Sequence, residues 1–320
     1  MPITKTQART VQAIINLFET SQVRGDYGQV TLLAGDTGHL TFGRSQTTLG
    51  SGGLHTLIAR YCANRGARFG PRLEKWLPAM QARDVRLDSD RVLHNLLRAT
   101  ADDPVMRDTQ DAFFDEAYFA KAMRTADRAG IREPLGCAIV YDSYVHGAFG
   151  IVSKRVNGTP ASRGERAWLT DYVAARRNWL ATSSRADLRP TTYRMDAFMR
   201  LIELGMWGLE LPLVVRGAEI SESTLAALPS TCYDGPQPGA RALVFQTSAP
   251  LCRGLDVRLV QVALGERGAD VRADGVFGRA SANCIADLQR AKGLPVTGVA
   301  DAALVLELSA EATGRLGQPA

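Results

Sequence analysis

The chain of 320 residues holds no run of about eighteen apolar residues, and so no candidate membrane-spanning helix. Cysteine is sparse: Cys62, Cys137, Cys232, Cys252 and Cys284 are widely scattered, show no CxxC spacing, and leave one unpaired whatever bridges form. Cys62, Cys137 and Cys284 read as small buried hydrophobes, whereas Cys232 and Cys252 bracket a loop and could bridge only in an oxidising compartment. The four histidines, His39, His55, His94 and His146, have no HExxH or similar ligand spacing, so neither a catalytic metal nor another cofactor is expected. There is no run of five or more basic residues and no basic stretch interleaved with aromatics, which argues against a nucleic-acid partner despite a net charge of +5 and a pI near 9.1. The opening stretch MPITKTQARTVQAIINLFET lacks the uninterrupted apolar core and small-residue cleavage site of a signal peptide, so the expectation is a chain made in the cytoplasm as a soluble protein.

With 45% hydrophobic and 22% charged residues the chain can bury a full core, and its length favours two domains. Val11, Ile14, Ile15 and Phe18 recur at helical spacing and predict an amphipathic helix ending near Glu19. RGDYG then signals a turn, Gln29 to Ala34 (QVTLLA) reads as a strand, GDTG turns again and HLTFG returns as a second strand. From Leu54 to Trp207 the pattern is helical, with one long helix through DAFFDEAYFAKAMRTADRAG. Between Arg216 and Pro250 periodicity fades and Gly, Pro and Ser concentrate, which predicts a linker over 217–250 between domains at 1–216 and 251–320. The last segment predicts three helices. The fold class expected is mainly α, an α+β lysozyme-like domain with a small β hairpin, followed by a three-helix module.

The chemistry concentrates in the first hairpin region. Glu19 closes an apolar helix, the setting in which a carboxyl loses hydration and serves as a general acid. Asp36 lies in a glycine-flanked turn open to water. Two carboxyl groups in unlike environments are the arrangement used to cleave glycosidic bonds, one protonating the leaving oxygen and the other activating water. Asp26 in RGDYG competes by position for the base role, although an ordinary turn aspartate fits that place as well.

Glu19, Asp36 with Gly38 two places on, Thr41, and the following TFGRSQTTLGSGG together resemble the catalytic N-terminal segment of the family 46 chitosanases, inverting hydrolases on a lysozyme-like scaffold. AIVYDSYVHG, RRNWL, YRMDAF and WGLELPL resemble later segments of that family, so the resemblance covers the whole N-terminal domain. It implies that Glu19 is the general acid, Asp36 the general base and Thr41 a hydroxyl that helps hold the attacking water. Asp142 and Arg194 would support the acid through ion pairing, and a structural helix-to-helix salt bridge is an equal and compatible reading. Asp26, His39, Arg44 and His146 are candidates to line the substrate cleft. One departure stands out: the family carries an acidic residue shortly after the serine-glycine loop, where it reads a glucosamine amine, and the corresponding place here is near Gly53.

DVRLVQVAL, DGVFGRASANCIADLQ and KGLPVTGVAD resemble in order the three-helix peptidoglycan-binding domain of cell-wall hydrolases. Asp274, Gly275, Phe277 and Gly278 form its signature turn, with a structural role. Joined to a glycosidase-like domain, this module favours a muramidase acting on peptidoglycan glycan strands, with a chitosanase as the alternative. A lytic transglycosylase would need only the glutamate, and a noncatalytic wall-binding protein neither carboxylate. The partner expected is therefore a peptidoglycan or chitosan polymer, met at the bacterial wall or periplasm after non-Sec export, injection or phage lysis. Injection would call for secretion machinery and an immunity protein.

Overall fold

The structure is a computed structural model that describes residues 3–33, 35–44 and 46–314. It is mostly helical, with short strands in three small sheets. Its contacts form two compact units, residues 1–25 with 112–227 and residues 26–111 with 228–320, a division that differs from the expected 1–216, 217–250 and 251–320. Ala34 in the expected first strand, and residues 315–320 of the expected module, lie outside the described residues.

The first unit is built on α1 (Lys5–Thr20), which starts at a capping box between Thr4 and Gln7 and ends where Ser21 turns left-handed, φ 58°. Its periodic residues Val11, Ile14, Ile15 and Phe18 are buried as the spacing predicts, and the helix packs on a second one, Pro134–Val145. That second helix is buried along its length from Pro134 to Ser143, in keeping with its largely apolar sequence. The Phe18 ring meets Phe198 edge to face at 5.4 Å, joining α1 to the helix Tyr193–Glu203. The stretch expected to open a linker instead forms a strand pair, Leu213–Val215 with Ala218–Ile220, and a helical turn, Glu222–Ala226. Ile220 and Leu225 are buried in the unit's core, so periodicity was too short there to betray burial.

The second unit carries a three-stranded antiparallel sheet: β1 (Val30–Thr31), β2 (Thr41–Phe42) and β3 (Thr47–Thr48), with Thr41 paired to Thr31 on one side and Thr48 on the other. The expected hairpin is therefore shorter and has a third strand. Leu32 and Leu33 follow β1 as exposed residues, 43% and 65%, because no partner strand extends far enough to cover the apolar run. The helix Arg91–Thr100 is capped by Asp90, whose side chain accepts from Leu93 N.

Three helices close the chain: Leu255–Glu266, Arg279–Ala291 and Ala302–Ala312. The first packs lengthwise on Arg91–Thr100, so these residues are built into the second unit. Asn95 donates to Val271 O at 2.8 Å and accepts from Ala273 N at 3.0 Å, reading the backbone of the module as a strand would. Arg258 Nε stands 2.8 Å from Asp102 Oδ2, both side chains being essentially inaccessible to water. Arg72 pairs with Glu266 and donates to Glu311 O. Cys232 is a free thiol packed with Tyr27 and Ala101, and all five cysteines are free. Burial pushes the Cys232 thiol up to about 12, so it behaves as a small hydrophobe. No described helix is long and apolar enough to cross a membrane.

Candidate active site

In the first unit Glu19 is held by a chain of buried ions. Its Oε1 accepts from Arg194 Nη2 at 2.8 Å, Arg194 Nη1 donates to Asp142 Oδ1 at 2.8 Å, and Asp142 Oδ2 stands 3.4 Å from Arg176 Nη2. Asp142 and Arg176 are fully inaccessible and Arg194 is 4% exposed, whereas the Glu19 side chain is 38% exposed. Two guanidinium groups and two carboxylates thus cancel in charge, and the chain ends at the one member that reaches solvent. Burial acts to lower the Arg194 pKa, but the Asp142 and Glu19 carboxylates outweigh it and raise the value overall. The sequence reading put Glu19 in an apolar setting; instead it is an ion-pair partner at the rim of one.

His146 caps the helix that carries Asp142 and lies 3.4 Å from Arg176 Nη2 through its Nδ1. Burial first, then the Arg194 and Arg176 cations, lower its pKa, so the imidazole is neutral at pH 7. Arg176 also donates to Gly147 O at 2.6 Å, which fixes the His-Gly turn. Sequence reasoning gave Arg176 no role. Its signal was an arginine in register with the buried Leu169, Tyr172, Val173 and Leu180 of its helix, a position that demands a charged partner.

In the second unit Asp36 is exposed, and its Oδ1 accepts from Gly38 N at 3.0 Å to close a side-chain turn. A Cβ on Gly38 would stand 3.0 Å from that carboxylate and 3.2 Å from Thr48, so glycine keeps the carboxylate free of crowding. Thr41 is buried in β2 and donates its hydroxyl to His39 O at 3.0 Å, leaving its oxygen free to accept. His39 is left-handed, φ 57°, a costly state for a residue with a Cβ. Asp88 holds it there: one carboxylate oxygen meets His39 Nδ1 at 2.9 Å and the other accepts from Leu40 N at 2.8 Å. Nothing in the sequence pointed to Asp88, 49 residues further on.

Arg44 requires correction as a cleft residue. Its side chain is 4% exposed and pairs with Asp111 at 2.8 Å while touching Tyr27 OH at 3.2 Å, so it braces the sheet from inside. Asp26 accepts from Gly28 N and Thr231 Oγ1, which makes it a turn aspartate tied to the chain on both sides. In the module Asp274 accepts from Gln261 Nε2 and Val276 N, Gly275 has φ 76° and its N donates to Gln261 Oε1, Phe277 is fully buried, and Gly278 starts the next helix. All four are thus tied into the turns and packing of the module. No group of three or more His, Cys, Asp or Glu side chains among the described residues is arranged to hold a metal.

Residues 13–213 match the profile of glycosyl hydrolase family 46, and residues 253–307 that of a putative peptidoglycan binding domain. A chitosanase of Bacillus subtilis (strain 168) is 26% identical over 238 residues, spanning 68% of this chain and 84% of that protein. Among solved structures, the family 46 chitosanase of Gynuella sunshinyii in complex with chitotetraose is 27% identical, covers 68% of this chain and 98% of that one, and has a TM-score of 0.56. The native chitosanase of Bacillus subtilis MY002 shares the fold at a TM-score of 0.55, with 24% identity over 67% of this chain and 95% of that one. The protein is a glycoside hydrolase, and the chain belongs to glycosyl hydrolase family 46.

Proposed function

We propose that the chain hydrolyses a β-1,4-linked glucosamine polymer of the chitosan type, with Glu19 as general acid, Asp36 as general base and Thr41 holding the attacking water. What supports this reading is a solvent-reaching Glu19, held in one orientation by Arg194, and, in the other unit, an exposed Asp36 held by its own turn, in a chain whose relatives are chitosanases. An inverting reaction needs the two carboxyl groups roughly 6.5–9.5 Å apart, so that water fits on the far face of the sugar. The muramidase reading ranks second, against the order the sequence suggested.

One pair of observations favours that second reading. The helix Gly53–Cys62 has no acidic residue in its first turn, where the family reads a free amine, and residues 253–307 match a wall-binding domain. A peptidoglycan strand, N-acetylated and bearing anionic peptides, does not need that acid.

The deciding experiment is mass spectrometry of products from chitosan and from purified peptidoglycan, with Glu19→Gln and Asp36→Asn as controls. Glucosamine oligomers that vanish in both variants support the proposal. Reducing muropeptides alone would replace it with the muramidase. Anhydro ends, retained in Asp36→Asn, would indicate a lytic transglycosylase.

A further inference from the structure

A wall-binding module is ordinarily a tether: it raises the local concentration of enzyme on an insoluble polymer and does nothing to the chemical step. The second unit is not arranged that way. Arg258, in the first helix of the module, inserts its guanidinium where three chain segments meet. Nη1 donates to Arg98 O at 2.6 Å, at the end of the helix Arg91–Thr100; Nη2 donates to Thr231 O; and Nε faces Asp102 at 2.8 Å. Nη1 also lies 3.5 Å from where a Cβ on Gly28 would stand, so the guanidinium lies beside the residue that leads into β1. Asp102 is used once more, accepting from Tyr233 N at 2.6 Å on its other oxygen. Beside this point Tyr27, Ala101 and Cys232 form a buried cluster of one residue from each segment.

β1 is the outer support of β2, with Val30 opposite Phe42 and Thr31 opposite Thr41. The helix that Arg258 clamps is preceded directly by the turn Val85–Ser89, whose Asp88 grips His39 and Leu40. Both routes from Arg258 are short, and both end on the segment from Asp36 to Thr41.

We infer that the C-terminal module is a structural lobe of the hydrolase, with Arg258 as a positioning residue that fixes the sheet bearing Asp36 and Thr41. The inference rests on the roles proposed above for those two residues. It requires the module for turnover of substrates too small and too soluble to benefit from an anchor.

The test uses the full chain and a soluble glucosamine hexamer. Arg258→Met lowers kcat about tenfold or more, on the scale of a small misplacement of a catalytic group, with KM changed less than about twofold, and speeds amide exchange in residues 36–48. Arg258→Lys, which keeps the charge and loses the fork, recovers part of the rate. If Arg258→Met does not fold, the double variant Arg258→Met/Asp102→Leu removes both buried charges together, keeps the packing, and shows the same fall in kcat and faster exchange.

Unchanged kcat on the hexamer with unchanged exchange at 36–48, and a loss confined to insoluble polymer, would overturn the inference and make the module a tether. Should the wild-type chain leave the hexamer intact, the chitosanase reading fails by itself, and the exchange measurement still decides the role of Arg258.

Discussion

Asp88 grips both the imidazole of His39 and the amide that follows it, at 2.9 and 2.8 Å, and thereby fixes the left-handed corner between Asp36 and Thr41. His39 O in turn sets the direction of the Thr41 hydroxyl. Removing the carboxylate with Asp88→Ala lets this corner relax toward ordinary backbone. The expected outcome is a fall in kcat of roughly ten- to a hundredfold with little change in KM, since geometry and not substrate binding is lost. His39→Gly, which adopts the corner without help, should make the Asp88→Ala loss smaller, and a double-mutant cycle checks this. Full additivity would show that Asp88 does not act through His39.

The buried chain from Arg176 to Glu19 predicts a large stability effect at its centre. Asp142→Ala leaves two guanidinium groups facing each other without a carboxylate between them, at a cost of about 3–5 kcal/mol. Urea unfolding of the variant measures it, and a loss below about 1 kcal/mol would mean that water reaches these ions.

Asp102 predicts a pH dependence. Burial raises its pKa to about 6 despite the Arg258 cation beside it, against an ordinary value of 3.8. Between those values the unfolded chain releases the proton first, so stability falls as pH rises. Well below pH 4 both states hold the proton, and well above pH 6 neither does. Relative to Asp102→Asn, the wild-type chain should therefore lose on the order of 3 kcal/mol between pH 4 and pH 7. Unfolding curves at the two pH values test the sign; a constant difference would exclude the titration.

Gly275 predicts a local intolerance. Its φ of 76° and the Tyr233 ring, 2.4 Å from where a Cβ would stand, oppose any side chain. Gly275→Ala should cost about 1–3 kcal/mol and lower the melting temperature.

The helices and the residue types of the site were legible because their cues are local. The spacing of Val11, Ile14, Ile15 and Phe18 follows from one helix and one core, and an aspartate two places before a glycine makes its turn wherever it stands. The partners that hold the site were not legible, because they are set by tertiary approach. Asp88 meets His39 from a separate turn, and Arg258 reaches Asp102 across more than a hundred and fifty residues of chain. The packing within the expected linker was hidden for a related reason: glycine and proline near residue 235 mark a bend in the chain, and a bend against a packed surface has the same composition as a free one.

The contact between Arg258 and Asp102 also constrains how such a chain can be inherited. Domains joined by loose peptide can be traded between genes as cassettes, because neither half depends on the other's interior. Here an exchange of the terminal segment for a foreign one lacking this arginine would strand a carboxylate in a dry interior, and the reverse transfer would carry away an arginine without its counter-ion. Recombination at this joint is penalised in both directions.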